Sequence, residues 1–157
     1  MVFKPPLVVA DEAMRLGDEL RVEGVFDTVR SFDKLHVSIV SAGPYQNLEQ
    51  IADRARKVGD QVRGNRFTFE FTDLLPFGGP TAVLRPFNTP DEAKRLQREI
   101  ALGIQRPEFR PAVGLNAHMT ISYTDKLIAP RPLVRKIVWQ SRSFFSWSAA
   151  VISASRH

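Results

Sequence analysis

The chain has 157 residues, of which 43% are hydrophobic, 25% are charged and none is cysteine. This composition excludes a disordered, collagen-like or coiled-coil protein, and the missing thiols exclude disulfides, thiolate metal sites and cysteine nucleophiles. The formal net charge is +5, and its excess lies from Lys126 onwards, where the sequence has six basic and no acidic residues. Such a segment suits an anionic partner, and phosphate esters and RNA are the first candidates. The alternative is a solvated surface that binds no partner.

Three segments have the apolar periodicity of amphipathic helices. The first covers residues 11–22. The second begins near Asn47, an N-cap residue with a glutamine three positions later, as in a capping box. The third begins at Thr89, which we expect to be the N-cap because Pro90 and two acidic residues follow it.

Strands are predicted around these helices. The clearest covers residues 66–74, in which phenylalanines alternate with polar residues. The others cover residues 2–4, 35–42, 81–85, 117–123, 137–144 and 147–154. The order strand, helix, strand occurs at about 2–42 and again at about 81–123. We interpret this as an internal repeat within one domain that covers residues 1–157.

Two of these strands carry the same pattern: an apolar residue, histidine, an apolar residue, a hydroxyl residue and isoleucine. Successive side chains of a strand point to opposite faces. His36 and Ser38 therefore share one face of their strand, and His118 and Thr120 share one face of theirs. Each strand is expected to pack its aliphatic side in a core and to present an imidazole and a hydroxyl on the other side.

Two imidazoles and two hydroxyls are suited to acid–base chemistry on a phosphodiester. An imidazole titrates near neutrality, so one histidine can act as general base while the other acts as general acid. In-line displacement at phosphorus requires these two roles on opposite sides of the phosphorus. The hydroxyls of Ser38 and Thr120 are then candidates for holding phosphate oxygens.

The paired motifs, HVSI at 36–39 and HMTI at 118–121, resemble those of the two-histidine phosphoesterase superfamily. They are most similar to the LigT-like proteins known as 2'-5' RNA ligases and RNA 2',3'-cyclic phosphodiesterases. The resemblance implies a bilobal α+β fold with two antiparallel sheets related by a pseudo-twofold, helices outside and a central groove. It also implies that His36 and His118 are catalytic, each lobe contributing one motif.

The expected function is hydrolysis of an RNA or nucleoside 2',3'-cyclic phosphate to a 2'-phosphate without a metal or cofactor, with 2'-5' RNA ligation as the reverse chemistry. The working assignment is His118 as base and His36 as acid, although the pseudo-symmetry of the two motifs does not distinguish these roles. Two functions remain as alternatives: a non-catalytic module that binds RNA or a nucleotide, and a cyclic phosphodiesterase of a small metabolite. The sequence has neither a membrane-length apolar run nor a signal-peptide pattern, so we expect a cytoplasmic protein with no membrane partner. We also expect a monomer.

Three aromatic residues are also considered for roles beside the motifs. Tyr45 follows the first motif strand, and Phe77 lies in a glycine-rich turn; both are candidates for stacking on a base. Many relatives carry an arginine shortly after the second motif, where this chain has Tyr123. Strict alternation places Tyr123 on the face of Met119, so we expect it to pack in the core.

Overall fold

Six strands pair into one antiparallel sheet in the computed structural model, which describes residues 2–40, 48–62, 64–107 and 114–141. The order across the sheet is β1-β2-β5-β4-β3-β6. The strands are β1 (Val2–Phe3), β2 (Val37–Ser38), β3 (Thr68–Pro76), β4 (Thr81–Pro86), β5 (Met119–Tyr123) and β6 (Arg131–Gln140). The strand predicted at 147–154 lies outside the described residues.

The α+β class is confirmed, but the sheet differs from the expected pair of sheets. The two motif strands β2 and β5 are neighbours, joined through the pair Val37 and Met119. On one side of this junction lies β1, and on the other side lie β4, β3 and β6. The expectation of two separate sheets is therefore wrong for the described strands, because the pairing of the two motif strands joins the two groups.

Three α-helices accompany the sheet: α1 (Leu7–Val22), α2 (Leu48–Gln61) and α3 (Asp91–Ile104). Helix α1 begins four residues before the predicted start, directly after the Pro5-Pro6 pair. Helix α3 begins one residue later than predicted, because Pro90 rather than Thr89 is its N-cap, and no side chain caps it. The Thr89 hydroxyl instead accepts a hydrogen bond from the backbone N–H of Ala117, at 3.1 Å.

A row of apolar side chains crosses the sheet on one face. Register pairs link Phe3 to Val37, Val37 to Met119, Met119 to Leu84, and Leu84 to Leu74. All five side chains are buried. Burial of this apolar face is the main stabilisation available to the sheet, at roughly 1.5–3 kcal/mol for each fully buried large side chain.

Contacts between the two edges of the sheet show that it curves strongly. The rings of Phe3 on β1 and Trp139 on β6 have centroids 6.4 Å apart, although these strands stand at opposite ends of the sheet order. Phe69 of β3 contacts both rings, at 6.3 and 5.4 Å. The phenylalanine row predicted at 66–74 therefore belongs to the core.

Helix α1 packs closely on the segment that leads to the first motif. A Cβ atom on Gly17 would lie 2.6 Å from Cγ1 of Val29, which is too short for a carbon–carbon contact. The backbone next to Val29 is bound to β5, because the N–H of Arg30 donates to the carbonyl of Ile121 at 2.8 Å. Glycine at position 17 therefore lets the helix approach a segment that β5 holds in place.

We predict that Gly17→Ala destabilises the fold. Alanine improves helix propensity by about 1 kcal/mol, but overpacking against the stiff Val29 side chain costs roughly 1–3 kcal/mol. Urea unfolding of four proteins, the wild type, both single variants and the Gly17→Ala/Val29→Ala pair, measures the coupling. The alanine at position 17 should be less harmful, or stabilising, once Val29 is truncated. Equal effects in both backgrounds would contradict the contact.

Candidate active site

The junction between β2 and β5 places both histidines and both hydroxyl side chains on one face of the sheet. Val37 pairs with Met119, so the antiparallel register sets His36 beside Thr120 and Ser38 beside His118. All four side chains are half-buried, whereas Val37 and Met119 are fully buried on the opposite face. We call the side that carries these four residues the histidine face.

The two histidines occupy diagonal corners of this four-residue arrangement. Diagonal cross-strand neighbours lie about 7–8 Å apart, so an atom group between the rings is within reach of both imidazoles. Because the pairing is antiparallel, a local twofold axis between Val37 and Met119 relates one histidine–hydroxyl pair to the other. The arrangement can therefore approach one small group from two opposite sides.

Backbone hydrogen bonds orient both imidazoles in the same way. Nδ1 of His36 lies 2.7 Å from the carbonyl oxygen of Lys34, and Nδ1 of His118 lies 2.9 Å from that of Asn116. A carbonyl oxygen only accepts hydrogen bonds, so Nδ1 must carry the proton in both rings. In the neutral state each Nε2 then has a free lone pair, which is the requirement for a general base.

The electrostatic surroundings favour the neutral form of His36. Burial lowers the pKa of His36, the hydrogen bond to Lys34 opposes this change, and the positive charges of Arg30 and Lys4 lower the pKa further. The His118 imidazole also contributes to the lowering, as expected for two titratable rings that lie close together. His36 is therefore predominantly neutral at pH 7.

The 3₁₀ turn that precedes His36 accounts for part of this charge. Residues Phe32–Lys34 form the turn, and its Asp33 carbonyl accepts a hydrogen bond from the Lys4 ammonium group. The pairing of β1 with β2, continued by one residue, sets Lys4 beside His36. The turn thus supplies the carbonyl that orients His36 and holds a cation next to it.

Phe77 lies against His118 in the structure. The two rings are stacked, with centroids 4.0 Å apart and planes inclined by 30°, and Phe77 is 41% exposed. The sequence singled out Phe77 as a candidate for stacking on a base, and the structure shows that one of its ring faces already covers the second histidine. Tyr45, the other stacking candidate, lies outside the described residues.

Tyr123 departs from the sequence-based expectation. Its side chain is 57% exposed rather than packed in the core. The register between β4 and β5 shifts, because Ala82 pairs with Ser122 while Val83 pairs with Thr120. Ile121 is the extra residue of a β-bulge, and a bulge reverses the alternation that follows it. Ser122 is consequently buried, and Tyr123 turns outward to the histidine face.

Arg30 is a residue of this face that the sequence analysis missed. Its guanidinium carbon lies 4.8 Å from the centroid of the Tyr123 ring, and its charge acts on His36. No motif surrounds Arg30 in the sequence. Pairing with Ile121, 91 positions away, brings it to the site, so no local spacing signal could have identified it.

The described part of the chain provides neither an obvious metal site nor a membrane span. Within these residues, no group of three or more histidine or carboxylate side chains is arranged to hold a metal ion. No described helix combines the length and apolar character that crossing a bilayer requires.

Comparison with protein families finds a match whose span includes both motifs. The family model of the 2'-5' RNA ligase superfamily matches residues 6–155, which is nearly the whole chain and includes both motifs. No curated protein matches the sequence significantly.

Solved structures of low sequence identity share the fold. The structure of Escherichia coli LigT in complex with ATP superimposes with a TM-score of 0.68 at 13% identity, over 88% of this chain and 79% of the other. A structure described as a phosphoesterase gives a TM-score of 0.70 at 12% identity, over 88% and 80% of the two chains. The E. coli LigT complex with 3'-AMP gives 0.67 at 12% identity, with the same coverage. These similarities support a LigT-like α+β fold.

We predict that NMR will show a lowered titration midpoint for His36 and the same tautomer for both rings. His36 should titrate below about pH 6.5, the usual imidazole value, because burial and neighbouring cations disfavour its charged form. Lys4→Met removes one of those cations and should move the His36 midpoint to higher pH. Nitrogen shifts at high pH should show a protonated Nδ1 in both histidines. A wild-type midpoint for His36 at or above the usual value would contradict this electrostatic description.

Proposed function

The chain belongs to the 2'-5' RNA ligase superfamily, and we propose that it is a metal-independent phosphoesterase of RNA or nucleoside 2',3'-cyclic phosphates. The product is a 2'-phosphate, and 2'-5' RNA ligation is the same displacement with the 5'-hydroxyl of another strand in place of the attacking water. The observation that carries this proposal is the four-residue arrangement, in which each histidine has a free Nε2 and a hydroxyl neighbour across the strand pair. In this proposal the protein acts in the cytoplasm as a monomer.

The proposed reaction needs one proton acceptor and one proton donor. Water attacks phosphorus while the bond between phosphorus and the 3' oxygen breaks. Nε2 of one histidine accepts a proton from the attacking water, and Nε2 of the other donates a proton to the departing oxygen. Ser38 and Thr120 hold non-bridging oxygens. The local twofold axis suits this chemistry, since in-line displacement places attack and departure on opposite sides of phosphorus.

The charges around His36 favour this histidine as the base, which leaves His118 for the role of the acid. A base must be neutral before the reaction, and the lowered pKa of His36 keeps it so. This assignment reverses the working assignment made from the sequence, which pseudo-symmetry left open. The assignment of the base depends on the positive charges of Lys4 and Arg30, which act on His36 from segments outside the motifs.

The printed names of similar structures support a nucleotide substrate. E. coli LigT is described in complexes with ATP, 3'-AMP and NADP+, and another of its structures contains phosphate. These ligands share phosphate groups, which match the basic surroundings of His36. Two alternatives from the sequence, a non-catalytic nucleotide-binding module and a phosphodiesterase of a small metabolite, differ from the proposal in turnover and in substrate size.

Kinetics of site variants will test the proposed roles. His36→Asn and His118→Asn keep a side chain that can donate to the carbonyl two residues earlier, but they remove Nε2. Each should reduce kcat/KM on a 2',3'-cyclic nucleotide by about 100- to 10,000-fold, and the double variant should be little worse. Ser38→Ala and Thr120→Val lose one hydrogen bond to a charged group and should cost only about 10- to 150-fold.

The same measurements discriminate the alternative functions. Near-wild-type turnover in either histidine variant would remove the proposed mechanism. Nucleotide binding without any turnover by the wild type would favour the non-catalytic module. A cyclic-phosphate RNA end and a small cyclic nucleotide, compared at equal concentration, show whether the site prefers a polymer or a small molecule.

Chelation provides an independent prediction. Because protons move between imidazoles, water and the leaving oxygen, activity should survive EDTA. Treatment with EDTA followed by gel filtration, with turnover measured before and after, checks this. Loss of activity that zinc or magnesium restores would show that a metal ion takes part and would contradict the acid–base mechanism.

A further inference from the structure

The guanidinium group of Arg30 has an unmet hydrogen-bonding capacity. Its Nε is buried and has no hydrogen-bond partner. The contact described for its side chain is with the face of the Tyr123 ring, at 4.8 Å, and a ring face accepts no conventional hydrogen bond. Guanidinium has five N–H donors in a planar fork. A buried N–H donor without an acceptor is unfavourable, so a ligand that accepts a hydrogen bond from this guanidinium would be favoured here.

Several other arginines of the described chain pair with carboxylates. Arg21 pairs with Asp18, and Arg131 with Glu23; Arg95 binds two carboxylates. In contrast, no ion pair of the described residues involves Arg30, and its positive charge and that of Lys4 both act on His36. An anion is therefore the ligand that this cluster of donors and positive charges would attract.

The position of Arg30 is fixed from both sides. Its backbone N–H donates to the carbonyl of Ile121, and the neighbouring Val29 packs against Gly17 of helix α1. The bulge at Ile121 turns Tyr123 to the histidine face, where its ring meets the guanidinium. A cation on an aromatic face is held in orientation by the ring quadrupole.

We propose that Arg30 binds a non-bridging phosphate oxygen of the substrate between His36 and His118, and that Tyr123 is a positioning residue that orients its guanidinium through ring stacking. The inference rests on the proposed function for the identity of the substrate. It adds a phosphate ligand from a segment that carries no motif, and it assigns a role to the exposed Tyr123 ring.

Inorganic phosphate is the first probe, since its binding does not depend on turnover. Arg30→Met keeps the side-chain length and removes the fork, so the Kd for phosphate should rise by about 10- to 150-fold. Arg30→Lys restores the charge without the planar fork and should recover only part of the affinity. Arg21→Met removes an equal charge from an exposed ion pair on α1 and should leave phosphate binding unchanged.

Two substitutions at position 123 separate the ring from its hydroxyl. Tyr123→Phe keeps the aromatic face and should weaken phosphate binding less than Tyr123→Leu does. Tyr123→Leu removes the face and should weaken phosphate binding by about 2- to 30-fold. Equal loss in the Phe and Leu variants would overturn the positioning role of the ring.

A titration distinguishes a ligand-binding role from a structural one. Arg30 lowers the pKa of His36 through its charge, so the His36 midpoint should move to higher pH in Arg30→Met, while thermal unfolding reports any loss of fold. Unchanged phosphate affinity in a folded Arg30→Met protein would overturn the inference. Phosphate binding that depends on Arg30 in a wild type without cyclic-phosphate turnover would support this anion site and reject the proposed function instead.

Discussion

The pairing of β2 with β5 is the constraint on which the rest of the site depends. One register pair, Val37 with Met119, brings two motifs that are about 80 positions apart into contact and buries both aliphatic side chains in the core. A slip of either strand by one residue would turn its own histidine towards the core and separate it from the other histidine. The chemistry of the histidine face and the packing of the opposite face therefore depend on the same alignment.

The local twofold axis makes the two histidines alike in tautomer, but the side chains around the two rings differ. Both rings donate Nδ1–H to the carbonyl two residues earlier. Only nonlocal contacts distinguish them: Lys4 and Arg30 act on His36, and Phe77 covers one side of His118. A repeated motif with unequal surroundings suits the proposed division into one base and one acid, because the strands supply the shared orientation and other segments supply different neighbours.

The sequence analysis correctly predicted the features that depend on the alternation of side chains along a strand. His36, Ser38, His118 and Thr120 share a face because alternation and the apolar residues between them agree, and the core row follows from the same pattern. It failed where nonlocal backbone contacts decide the outcome. Thr89 has the residue type of an N-cap, yet its hydroxyl binds the backbone of Ala117, a partner that local sequence does not reveal. The joining of the strands into one sheet was likewise set by a pairing across the chain.

The β-bulge at Ile121 accounts for two features that the sequence did not predict, the exposed Tyr123 ring and the position of Arg30 beside it. Strict alternation would place Tyr123 in the core, and a single extra residue places it on the histidine face. The same stretch of β5 also holds the segment before the first motif, since Thr28 donates to the Tyr123 carbonyl at 3.1 Å and Ser122 donates to the Thr28 carbonyl at 2.6 Å. Arg30 and Tyr123 therefore meet because one irregular strand end fixes both, and an irregularity of this kind has a structural cost that a role at the site would offset.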